Sequence, residues 1–211
     1  MKKLGLFSFF TGAGFLDLGF EKAGYKTILA NELEPNFCRV YTYARRKMKV
    51  PLPELGLREQ DVGKFLDAGE EAKLLKKSMS NARKHYDLIG FVGGPPCPDF
   101  SVAGKNAGQE GKHGKLSQIY ADMICLYKPD FFVFENVKGL WRTAKHRAFF
   151  DTVVAQLKSA GYAVTFRLIN SLEYGAPQDR DRRAHPKGLR RGHRGVREAE
   201  NRQRKNLRSC P

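Results

Sequence analysis

Leucine, phenylalanine and glycine dominate residues 4–10, and that apolar run stops at Thr11-Gly12-Ala13-Gly14. A short apolar stretch bounded by glycines predicts a buried strand followed by a tight turn. Over residues 15–23 the spacing becomes that of an amphipathic helix. The alternation then repeats, with a strand at 27–31, a helix at 35–46, a Lys- and Glu-rich helical stretch at about 62–85, and a strand at 87–92. Beyond a Gly- and Pro-rich loop, the pattern predicts a helix at 117–127, a strand at 131–134, a helix at 149–160 and a strand at 162–169.

Apolar strands separated by helices imply a mostly parallel sheet covered on both faces, the doubly wound, Rossmann-like α/β class. Ligands of such sheets lie beyond the carboxyl ends of the strands, so the loops that follow strands are where chemistry is sought. At 211 residues the chain can bury one core without disulfides or metals. Residues 1–182 read as that domain. From Arg183 to Pro211 the chain holds ten Lys or Arg and two Glu, with few apolar residues and no clear periodicity. Such a segment has little with which to build a core, and low order is expected there.

The formal net charge of +16 is consistent with a polyanionic partner such as nucleic acid, and equally with a solvated charged surface. Half of that excess sits in residues 183–211. Cysteines 38, 97, 125 and 210 are too irregularly spaced for a zinc or redox pair, which points to a reducing, cytoplasmic compartment. The five histidines show no ligand spacing, so no metal is expected. The N-terminal apolar run is too short for a signal peptide, and no segment approaches the roughly 20 apolar residues of a membrane span.

Three loops carry candidate chemistry. Phe10-Thr11-Gly12-Ala13-Gly14-Phe15 joins the first strand to its helix, where glycines admit a ligand close to the backbone and free N–H groups favour negative charge. A plain tight turn explains the same glycines. The second strand ends in Asn31-Glu32, a carboxylate placed where ribose hydroxyls of an adenosine-containing cofactor would lie. Asp61-Val62 is similarly placed to meet an adenine amino group, although Glu32 and Asp61 would also serve as a helix cap and a surface acid. In the second loop, Gly94-Pro95-Pro96-Cys97-Pro98, prolines stiffen the backbone on both sides of a cysteine that, as thiolate, is a soft nucleophile. In the third, the apolar run 131–134 puts Glu135 at the end of a buried strand, where a carboxylate needs partners or a task.

Gly12-Ala13-Gly14, Gly94-Pro95-Pro96-Cys97, Glu135-Asn136-Val137 and Gln178-Asp179-Arg180-Asp181-Arg182 stand in the order and at about the spacing of the C5 DNA cytosine methyltransferase family, which the chain resembles over residues 4–182. The resemblance implies transfer of a methyl group from S-adenosylmethionine to C5 of cytosine in double-stranded DNA, with S-adenosylhomocysteine as product. Cys97 would add to C6 of a flipped-out base, Glu135 would hold its N3 and N4 edge, and Arg180 and Arg182 would support O2 and the site geometry. Phe10, Thr11, Gly12, Ala13, Gly14, Phe15, Glu32, Leu33, Asp61, Val62, Gly94 and Pro95 would bind the cofactor. The loop 101–115 would close over the base.

The pattern departs from the family at Ser8, where many members carry Asp and where weaker cofactor binding is therefore expected, and at Pro98-Asp99. After Arg182 no further sheet strand, target-recognition domain or closing segment is legible. The abrupt change of composition there predicts translation in a shifted reading frame. Three readings follow: a subunit completed by a second chain that carries the recognition segment, an inactive truncated remnant, or a non-catalytic basic module that binds nucleic acid. A cognate restriction endonuclease is a family-level expectation.

Overall fold

The computed structural model describes residues 2–96, 112–137, 144–175, 177–178 and 181–190. Seven strands form one sheet: β1 (Leu4–Phe9), β2 (Tyr25–Glu32), β3 (Leu57–Glu59), β4 (Leu88–Gly93), β5 (Phe131–Val137), β6 (Tyr162–Asn170) and β7 (Asp181–Arg190). Their order is β3-β2-β1-β4-β5-β7-β6. The ladders from β3 through β5 are parallel, and β7 runs antiparallel to both neighbours. Helices α1 (Phe15–Lys22), α2 (Pro35–Lys47), α3 (Glu70–His85), α4 (Lys112–Tyr127) and α5 (Ala144–Ser159) connect them.

Strand side chains alternate between faces, and the core divides accordingly. Phe7, Phe9, Phe91, Phe132 and Phe134 point to one side, where they meet Leu75 and Met79 of α3, Tyr120, Met123 and Ile124 of α4, and Val153 and Leu157 of α5. Leu6, Val92 and Val133 point to the other, against Leu16 and Phe20 of α1. The phenylalanines interlock edge to face, as in the Phe9–Phe91 pair with centroids 5.0 Å apart.

The helical stretch expected over 62–85 is two elements. A 3-10 turn at Val62–Phe65 is capped by the Asp61 carboxylate, which accepts from Gly63 N at 2.7 Å. Phe65 is fully buried, and its carbonyl accepts from the Tyr127 hydroxyl at 2.5 Å, so the chain is pinned before α3 begins at Glu70.

The boundary at Arg183 also moves. β7 continues to Arg190 and lies between β5 and β6, so a further sheet strand is present after Arg182. A strand flanked on both edges has its backbone groups paired by its neighbours, which outweighs a polar, Gly- and Pro-containing sequence. Pro186, which has no N–H to donate, falls at the irregular step of both ladders, between Phe132 and Phe134 on one side and Thr165 and Arg167 on the other. The low order expected of the tail from residue 191 onward lies outside the described residues.

Candidate active site

A cavity of about 450 Å³ opens at the carboxyl ends of β1 to β4. β1 pairs with β2 on one side and β4 on the other, which makes this the switch point at which doubly wound sheets bind ligands. Its wall takes Phe10 and Gly12 from the first turn, Asn31 to Glu34 and Phe37 from the β2–α2 junction, Gln60 to Val62 after β3, Gly94 and Pro96 after β4, and Leu116 from α4.

The first turn is conformationally unusual. Phe10, Gly12 and Gly14 all have positive φ, at 54°, 55° and 86°. For Phe10 that conformation costs roughly 1–2 kcal/mol, which surrounding contacts must offset. Thr11 N donates to Asn31 O at 3.1 Å and Gly14 N to Thr11 O at 2.9 Å. Gly12 N donates to Glu32 Oε2 at 2.8 Å, while Glu32 Oε1 accepts from Leu33 N and Glu34 N at 2.9 and 3.0 Å. Glu32 therefore braces the turn and the start of α2 together. A carboxylate offers about four acceptor positions, so capacity remains on the cavity side. Asn31 spends its amide on the carbonyls of Arg58 and Gln60, fixing the segment after β3.

Beside this cavity the ends of β4 and β5 converge. A Cβ built on Gly94 would lie 2.7 Å from Glu135 Oε2, so the glycine backbone lies directly against the carboxylate. At the same sheet edge β7 enters antiparallel, with Arg182 opposite Val137 and Ala184 opposite Glu135.

The C-5 cytosine-specific DNA methylase family model matches residues 4–193, nearly all of the chain. The chain belongs to that family. It is 53% identical to the Type II methyltransferase M.NmeDI of Neisseria meningitidis serogroup C over 86% of its own length and 43% of that protein. It is 32% identical to the Type II methyltransferase M.AquIA of Picosynechococcus sp. over 84% of its length and 68% of that protein. It thus spans less than half the length of M.NmeDI. Among solved structures, the Entamoeba histolytica methyltransferase EhMeth superposes with a TM-score of 0.65 at 15% identity, covering 90% of this chain and 53% of that one. The S. pombe Dnmt2 methyltransferase does so with a TM-score of 0.61 at 14% identity, covering 89% and 50%. At such identities the likeness is one of fold.

Of the cofactor residues expected from the sequence, Phe10, Gly12, Glu32, Leu33, Asp61, Val62 and Gly94 line the cavity. Thr11, Ala13, Gly14, Phe15 and Pro95 are not in its wall. Thr11 and Pro95 are buried, Gly14 packs against the Tyr41 ring, and Phe15 is 82% exposed. Ser8 lies beneath the turn, buried, and donates to Asp17 at 2.5 Å, so it too stands away from the wall. Asp61 lines the cavity, and its carboxylate caps the 3-10 turn. Cys97 and Arg180 lie outside the described residues, as does the expected closing loop up to residue 111; Arg182 is placed by its backbone alone.

Sequence reasoning missed Asn31, Glu34, Phe37, Gln60, Pro96 and Leu116 in the wall and Asp17 beneath it. Phe37 left a faint signal, an aromatic residue on a polar helix three positions after Glu34. Gln60 and Leu116 left none, because they reach the cavity only when β3 and α4 are placed. Among the described residues no helix is long and apolar enough to cross a membrane, and no group of His, Cys, Asp and Glu is arranged to hold a metal.

Proposed function

We propose that this chain carries the cofactor and chemistry half of a DNA cytosine-5 methyltransferase. The observation that supports this most is the contact of Gly94 with Glu135 at the rim of the switch-point cavity. Cys97 follows Gly94 by three residues along the chain, which supports reading it as the nucleophile that works with this carboxylate.

The cavity suits S-adenosylmethionine. Its volume falls within the ~300–1,000 Å³ usual for small-molecule sites. Phe10, Leu33, Phe37, Val62 and Leu116 supply apolar wall for a purine, and Glu32 retains acceptor capacity for ribose hydroxyls. Gln60 Nε2 is buried in that wall without a hydrogen-bond partner among the described residues, a donor that a ligand acceptor would satisfy. When bound, the cofactor supplies an electrophilic sulfonium methyl group.

Cys97 as thiolate adds to C6 of the cytosine, which raises electron density at C5. Glu135 holds the N3 and N4 edge and steadies the charge that develops on the ring. Arg180 and Arg182 hold O2 and adjacent phosphate. C6 is inaccessible in stacked duplex, so the base is flipped out at a cost of a few kcal/mol that protein contacts offset. Once C5 carries the methyl group, its proton passes to a base, the C5–C6 double bond re-forms and Cys97 leaves as thiolate.

Target selection we assign to protein beyond residues 4–193, carried on this polypeptide or on a second chain. A Type II cognate endonuclease and a cytoplasmic setting belong to the same reading. The test is transfer of labelled methyl to unmethylated DNA by this chain alone and together with the product encoded beside it. Covalent trapping on 5-fluorocytosine DNA is expected in the complete form and lost in Cys97→Ser. Trapping that survives the substitution overturns the assignment of the nucleophile, and no transfer in either arm identifies an inactive remnant. DNA binding indifferent to Cys97→Ser, without any transfer, identifies a basic binding module.

A further inference from the structure

Beneath the first glycine turn sits a fully buried carboxylate that the mechanism above does not use, Asp17 of α1. Its Oδ1 accepts from the Ser8 hydroxyl at 2.5 Å, and its Oδ2 accepts from the Thr11 hydroxyl at 2.7 Å and the Tyr41 hydroxyl at 2.9 Å. Ser8 belongs to β1, Thr11 to the turn and Tyr41 to α2, so one side chain ties a strand, a turn and two helices to a single point. The Tyr41 ring also fills the space that a Cβ at Gly14 would need, 2.7 Å away. From above, Gly12 N is held by Glu32. The turn is thus clamped between two carboxylates, one facing the cavity and one under the floor.

We propose that Asp17 is a positioning residue for the ligand-binding turn: it sets the height of Phe10 to Gly12 against Glu32, and through them the affinity of the cavity. This rests on the reading of the cavity as an S-adenosylmethionine site. It also gives Ser8 a purpose, since a hydroxyl at that position donates to Asp17, whereas a second carboxylate there would face the first across a buried space.

A merely structural Asp17 would lower stability and nothing else in particular, so the test compares it with a destabilising change elsewhere. Leu157→Ala empties a buried position in α5, on the opposite side of the sheet from α1. Affinity for labelled S-adenosylmethionine is measured by equilibrium dialysis with the full chain, alongside hydrogen exchange at the amides of Thr11 and Gly12. Asp17→Ala is expected to weaken binding at least tenfold, equal to the loss of roughly one charged hydrogen bond, and to speed exchange at those two amides. Asp17→Asn, which keeps an acceptor for part of the set, is expected to fall between it and the native chain and serves if the alanine variant does not fold. Leu157→Ala is expected to leave affinity and turn exchange unchanged. Native affinity in Asp17→Asn and Asp17→Ala, or equal weakening in Leu157→Ala, overturns the proposal while leaving the cofactor site standing. A native chain that binds no S-adenosylmethionine removes the cofactor reading, and this proposal with it.

Discussion

At the scale of single residues, two glycines show how the same substitution separates stability from function. An alanine at Gly90 would put its Cβ 2.1–2.6 Å from three atoms of the Phe131 ring, which is flanked on both sides by strands. Overpacking of that kind costs about 1–3 kcal/mol or more, so Gly90→Ala should lower the urea midpoint clearly. At Gly94 the obstacle is the Glu135 carboxylate, the far end of a flexible side chain. Gly94→Ala should therefore cost less than about 1 kcal/mol in the same titration yet reduce methyl transfer by the complemented enzyme at least tenfold. Cys38 tests burial in another way. Desolvation, reinforced by Glu59 and Glu32, pushes its thiol up to about 11. A thiol whose folded pKa is raised contributes stability present below its unfolded value, near 9.0, and lost as pH rises through about 11. Cys38 is accordingly expected to resist iodoacetamide in the native protein at neutral pH and to react on unfolding, as read by mass spectrometry.

Between elements, the decisive quantity is how far a polar contact is removed from water. Arg45 of α2 is 2% exposed and reaches Glu21 of α1 at 2.8 Å, with its guanidinium 4.6 Å from the centre of the Tyr41 ring. Thr27 of β2 donates to the same Glu21 oxygen. Glu21→Ala would leave a buried guanidinium charge unpaired and should cost about 3 kcal/mol. On α3 the Lys73–Glu70 pair at 3.1 Å is exposed at both ends, and Lys73→Ala should change stability by less than about 0.5 kcal/mol. Equal losses for the two variants in urea titrations would contradict this account of how α1 and α2 are fastened. Helices themselves were legible because their periodicity is local. The break after Phe65 was not, since it depends on Tyr127 reaching the Phe65 carbonyl from α4.

Across the whole molecule, charge rather than packing governs long-range behaviour. The chain carries a formal net charge of +16, with seven Lys or Arg beyond Arg190. Each DNA phosphate that is no longer neutralised should lower the slope of log affinity against log salt by about 0.9. Removal of residues 191–211 is expected to leave the sheet folded and to flatten the salt dependence of DNA binding, measured by fluorescence anisotropy. An unchanged slope would assign the neutralising cations to the body of the domain. The architecture was readable at this scale because each strand announces itself by an apolar run and each crossover by helical spacing. The exceptions were β3, a short Leu-Arg-Glu segment paired along β2, and β7, which is held by the backbones of β5 and β6.

The sequence by itself determined most of the alternation of strands and helices, the three candidate loops and the family, since all of these rest on residues adjacent along the chain or in fixed motifs. It also placed Glu32 at the end of its strand and Gly94 just past the end of another, because strand ends are local features, whereas β5 runs on past Glu135 to Val137. Only the tertiary structure decided that β7 fills the gap between β5 and β6, that Gln60, Phe37 and Leu116 share one wall, and that Asp17 gathers hydroxyls from three elements. Pairing and burial join positions far apart in the chain, as Asp17 and Tyr41 are at a separation of 24 residues. No local pattern records which distant backbone or hydroxyl will satisfy a buried group.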